Sequence, residues 1–115
     1  MTARRRLPPQ HLATPTRRWW SSVVADYQLE PHPIRLLTLA AEAWDICTKA
    51  RQALAEHGLT FTDRFGCPKP RPEVAIERDS RLGFARMLRE LALDDVEPPE
   101  TRPPRIMGRY EKGRG

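Results

Sequence analysis

Arginine is the residue type whose placement in this chain could do the most chemistry. Arg4, Arg5, Arg6, Arg17 and Arg18 fall within the first 20 residues, and no acid accompanies them. Guanidinium groups clustered at a terminus attract phosphate, because each contact releases counterions condensed on a nucleic acid. The same residues would otherwise form a solvated arm that binds nothing. A second constellation is Arg51, Glu77 and Arg81. Glu77 and Arg81 stand four residues apart inside an otherwise apolar helical stripe, and Arg51 is the polar break in another. If those two helices fold back on each other, the three residues meet as a polar cluster that sets register or a subunit contact. Such ion pairs add little net stability but cost much when one partner is removed. The alternative is a partly exposed stripe edge.

Other chemistry leaves no mark. There is no Gly-rich phosphate loop, hence no sign of nucleotide use. His11, His32 and His57 stand at no metal-ligand spacing from Cys47 or Cys67. Asp63, Glu73, Glu77 and Asp79 could be read as a nuclease carboxylate cluster, but the helix macrodipole already favours acids at a helix start. No catalytic residue, metal or cofactor is expected. Cys47 falls on an apolar helix face and Cys67 in a turn, a pattern that fits a reducing compartment better than a disulfide. No apolar run reaches membrane-spanning length, and the opening MTARRRLPPQ lacks the apolar stretch of a secretory signal.

The elements that must position these groups are helical. The chain has 115 residues, a net charge of +5 and 12 prolines, most of them outside the centre. Three segments are expected: a disordered basic arm over 1–15, a helical oligomerisation and DNA-recognition domain over 16–93, and a flexible acidic-then-basic tail over 94–115. Residues 21–93 are charge-neutral, with 10 basic and 10 acidic side chains. Thr16 is read as the N-cap of a short helix over Arg17–Tyr27, with Trp20, Val23, Val24 and Tyr27 on one face. Trp19 flanks that face and is read as a packing anchor. A long helix follows over Pro33–His57, stopped by Gly58. Leu37, Ala40, Trp44, Cys47 and Leu54 recur along it at alternating spacings of three and four, with Arg51 as the break. Leu36, Leu39, Ala43, Ile46, Ala50 and Ala53 widen its apolar surface beyond one stripe. A helix apolar on two faces needs two partners, one within the chain and one in a neighbouring subunit. Leu36, Leu37, Ala40, Ala43, Trp44, Cys47 and Leu54 are the candidate oligomer interface. Leu59 to Gly66 reads as a tight turn with a very short extended segment, too short for a sheet. A third helix is expected over Pro72–Leu93. The fold class is therefore all-α: a short helix, then a long antiparallel helical hairpin with flexible basic arms, assembled as a ring-type homo-oligomer.

The region from Trp19 to Leu93 resembles the phage terminase small-subunit family, in the branch often found beside a viral HNH endonuclease. The resemblance rests on Trp20 with Val23-Val24 and Tyr27, Leu36-Leu37, the Ala-Glu-Ala-Trp-Asp run of Ala41–Asp45, and Ala50–Leu54. It continues through Gly58-Leu59-Thr60, Asp63 with Gly66 and Pro68, Ala75-Ile76-Glu77-Arg78-Asp79, and the run from Phe84 to Leu91. It covers about two thirds of the chain and does not reach the basic arms. What it implies is a non-catalytic, ring-forming protomer that binds viral double-stranded DNA and regulates a large subunit carrying the ATPase and nuclease. Its partners would be that large subunit and an HNH endonuclease, and its setting the host cytoplasm during phage assembly. No helix-turn-helix with a readable recognition helix is visible. DNA contact is therefore assigned to the five N-terminal arginines, with the Arg105–Arg114 tail as a second arm or a docking segment. The alternatives are a small dimeric nucleic-acid-binding regulator, or an interaction protein whose basic arms take an acidic partner.

Overall fold

A computed structural model of the protein describes residues 6–93 and 95–100. Three helices and one ribbon succeed each other: α1 (Thr14–Tyr27), α2 (Pro31–His57), β1 (Thr60–Thr62), β2 (Pro68–Pro70) and α3 (Pro72–Glu90). The protein is mainly α-helical. Each helix has proline in its first turn, where the missing N–H costs no helical hydrogen bond. None of the three N-cap residues, Ala13, Glu30 and Arg71, supplies a side-chain cap. Thr16, expected as the cap of α1, lies inside that helix instead. Its hydroxyl donates to Asp45 Oδ1 at 2.6 Å, and a second Asp45 oxygen takes the Ala13 N–H at 2.8 Å. An aspartate on α2 thus caps α1 from outside, its negative charge at the positive end of the helix dipole.

Gly58 ends α2 with φ +84°, its N–H returning to Leu54 O at 2.8 Å. The link that follows is a sheet after all, although a small one. β1 and β2 pair antiparallel with Thr60 opposite Pro70, Phe61 opposite Lys69 and Thr62 opposite Pro68. Asp63 holds its tip: Oδ1 accepts the Phe65 and Cys67 N–H groups, both at 2.9 Å, and Gly66 takes the left-handed conformation the turn requires. After the ribbon the chain returns along α2, so that Arg51 meets Glu77 and Trp44 meets Phe84.

The core gathers Trp19, Trp20 and Val23 of α1, Leu37, Ala40, Ala41 and Trp44 of α2, and Phe84 and Leu88 of α3. Phe84 lies between two tryptophans, 5.8 Å from the Trp19 ring and 4.8 Å from that of Trp44, both tilted. One side chain from each helix meets there. Tyr27, expected on the buried face of α1, is exposed.

Packing also reaches beyond the expected boundaries. Leu12, which falls in the expected disordered arm, is only 2% exposed and belongs to the core, as does Leu93 at the expected end of the domain. Trp19 Nε1 donates to Glu97 O at 2.7 Å, and Val96 packs beside the core. Segments flanking α1 and α3 thus add to the cover of the core. α3 stops at Glu90 rather than Leu93, because Ala92 adopts a left-handed φ of 58° and turns Leu93 back onto the core. The Leu93 N–H closes that turn on Leu88 O at 2.7 Å.

Candidate nucleic-acid interface

The N-terminal arginines do not act as one patch. Arg4 and Arg5 lie outside the described residues, as does the Arg105–Arg114 tail. Arg6 is exposed. Arg17 faces inward along its own helix start: its guanidinium donates to Gln10 O at 3.2 Å, Leu12 O at 2.8 Å and Thr14 Oγ1 at 3.2 Å. It braces the segment that carries Leu12 and is not the free phosphate contact expected of it. Arg18 is exposed and forms no ion pair among the described residues. It borders a shallow groove lined by Pro8, Thr14, Arg17, Arg18, Ser21 and Ser22. Thr14, Arg18, Ser21 and Ser22 recur on one side of α1, so one free cation and three hydroxyl groups face the same opening. That is the donor chemistry that takes phosphate oxygens.

The polar cluster is geometrically tight. Glu77 Oε2 accepts from Arg51 Nε at 3.1 Å and from Arg81 Nε at 3.2 Å, and the Cys47 thiol approaches the same oxygen at 3.6 Å. The Glu77 side chain is 17% exposed, against 39% for Arg51 and 48% for Arg81, so the acid is enclosed and the cations cover it. Burial works to raise the Glu77 pKa; hydrogen bonds from Arg51 and Arg81, with their charges, outweigh it and hold the carboxyl below its ordinary value. Burial pushes the Cys47 thiol up, which leaves it an inert core group. The Arg51 guanidinium also lies 5.8 Å from the centre of the Trp44 ring.

The carboxylates that might have formed a nuclease site do not converge. Asp63 caps its turn, Glu73 faces Arg71 at 3.4 Å, Glu77 joins the cluster, and Asp79 pairs with Arg78 at 3.1 Å. Among the described residues no three His, Cys, Asp or Glu side chains gather as metal ligands, and no helix is long and apolar enough to cross a membrane.

The expected oligomer interface divides in two. Leu37, Ala40, Trp44 and Cys47 are buried within the protomer, where they meet α1 and α3, and cannot face a neighbour. Leu36, Ala43 and Leu54 are partly exposed. The apolar surface left open on α2 centres instead on Leu39 and Ile46, seven residues apart, with half-buried Leu36, Ala43 and Ala53 beside them and buried Ala50 between the last two. Leu39 and Ile46 are 48% and 49% exposed. Both belong to the widened apolar surface of α2, and of the candidate interface residues only Leu36, Ala43 and Leu54 keep appreciable exposure on the protomer.

A comparison of the chain with protein-family models, curated proteins and solved structures gives no match.

Proposed function

We propose that this chain is the small subunit of a phage terminase. It would be a non-catalytic component that assembles into a ring, binds viral double-stranded DNA and regulates the large ATPase and nuclease subunit during genome packaging. The observation that carries the reading is the open stripe of α2. Exposed Leu39 and Ile46, with half-buried Leu36 and Ala53 beside them, give an apolar seam on a helix of 27 residues, about 40 Å long. Its opposite face is already occupied by α1 and α3. Such a seam suits a helix of a neighbouring copy. The cationic groove of α1 lies on a separate element, so assembly and DNA contact would not compete. In a ring each weak contact is repeated at high effective concentration, which makes a few arginines per protomer sufficient. The large subunit and an HNH endonuclease are the proposed protein partners.

Light scattering on the full chain at low and moderate salt tests this. A single species of many subunits that persists as salt rises supports the reading. A monomer or dimer with salt-sensitive DNA binding overturns the ring and leaves the small nucleic-acid-binding regulator.

A further inference from the structure

The ribbon between α2 and α3 has no structural work that accounts for its surface. All six strand residues are exposed. Leu59 is 64% exposed, Phe61 42% and Phe65 76%. Phe61 and Lys69 are directly opposite, so their side chains share one face. At the tip the Arg64 guanidinium lies 5.1 Å from the centre of the Phe65 ring, a planar cation stacked on a planar apolar group. The one acid of the loop, Asp63, is turned inward on the Phe65 and Cys67 amides. Arg71 is held by Glu73. The tip therefore presents two cations, Arg64 and Lys69, and no free acid.

We infer that this ribbon is a second DNA contact: it enters the major groove of a duplex, with Arg64 and Lys69 on the flanking phosphates and Phe65 against base edges. The inference rests on the reading that the chain binds duplex DNA, but not on its assembly or on the N-terminal arginines. Charge selects the partner, because unopposed cations around exposed aromatic rings fit a polyanion that also offers apolar surface. Size agrees: a two-stranded ribbon is a shape the major groove admits, and phenylalanine makes apolar contact with the thymine methyl there. One edge argues against a partner that adds a strand. The Asp63 N–H to Cys67 O and Arg71 N–H to Leu59 O bonds place Cys67, Lys69 and Arg71 toward β1. Pro68 and Pro70 then line the outer edge of β2 and offer it no donor. Position matters as well. Asp45, which anchors α1, stands 12 residues before His57, so the ribbon begins about 18 Å further along α2 than the α1 groove. One protomer would touch the duplex at two separated places, by a charged surface and by a wedge.

The test measures binding of a short fluorescent duplex to the full chain across a salt series. Three variants are compared with wild type: Arg64→Ala with Lys69→Ala, Phe65→Ala, and an arm variant with Arg4, Arg5 and Arg6 all changed to Ala. All the altered side chains of the ribbon are exposed, so circular dichroism should be unchanged. The double ribbon variant is expected to bind roughly three- to tenfold more weakly, with the slope of log affinity against log salt reduced by about 1.8 for each bound protomer. Phe65→Ala should weaken binding several-fold with the slope unchanged. A photo-crosslinker on exposed Cys67 should label the DNA, while Cys47 is buried and unreactive. Ribbon variants that bind like wild type, with no crosslink, overturn the inference even if the arm variant fails to bind. Loss of binding in the ribbon variants alone upholds it and removes the arm arginines from the proposed site. A wild-type chain that binds no duplex overturns both.

Discussion

At the scale of single residues, Glu77 carries the sharpest expectations. It accepts hydrogen bonds from Arg51 and Arg81 in an enclosed position. Glu77→Ala should destabilise the fold by about 1–2 kcal/mol, less than for a fully buried pair because both cations are partly in water. Thermal unfolding at neutral pH measures this. The carboxyl is held below its ordinary value in the fold, so its contribution is complete above the unfolded carboxylate pKa and disappears as pH falls through the folded one. The stability gap between wild type and Glu77→Gln should therefore be widest near neutrality and shrink in acid. A gap that stays constant with pH would contradict the assigned cation contacts. Arg51, Glu77 and Arg81 were legible in the sequence because helical periodicity and a reversal of the chain give simple arithmetic. Arg17 was not legible as a brace, because its acceptors are backbone carbonyls that sequence pattern does not mark. Asp45 was equally hidden: it caps a helix whose start lies 32 residues earlier.

At the scale of elements, the helices were readable and their ends less so. Gly58 and the prolines mark two boundaries plainly, whereas Ala92 carries no signal of the left-handed turn that it makes. An alanine there costs about 1 kcal/mol relative to a residue without a side chain. Ala92→Gly should accordingly raise stability by a few tenths to about 1 kcal/mol, measured by denaturant midpoint at unchanged slope. The extended segment and its turn were legible, but not its pairing with a second strand, because strand propensity disfavours Pro68 and Pro70, yet the Asp63–Gly66 turn brings three residues of each strand together. Where three elements meet, Phe84 touches both Trp19 and Trp44. Phe84→Ala should cost about 3–5 kcal/mol and release the tryptophan fluorescence from its buried environment.

At the scale of the molecule, one long helix divides the labour. One side of α2 holds the core, and the other leaves an apolar seam open to solvent. Ile46→Glu places a charge in the middle of that seam without entering the core. In the proposed ring it should shift the mass toward single protomers while far-ultraviolet circular dichroism stays the same. An unchanged mass by light scattering would remove α2 from the subunit contact. The sequence showed that α2 was apolar on two sides, but not which side was taken, because that depends on the angle at which α1 and α3 lie against it. The external cap on α1 has one more consequence, which concerns order in time. Thr16 and the Ala13 N–H wait for a carboxylate that leaves the ribosome some thirty residues after them. The first helix to be synthesised therefore gains its cap only once α2 has emerged, so that its N-terminal turn settles on α2 rather than ahead of it.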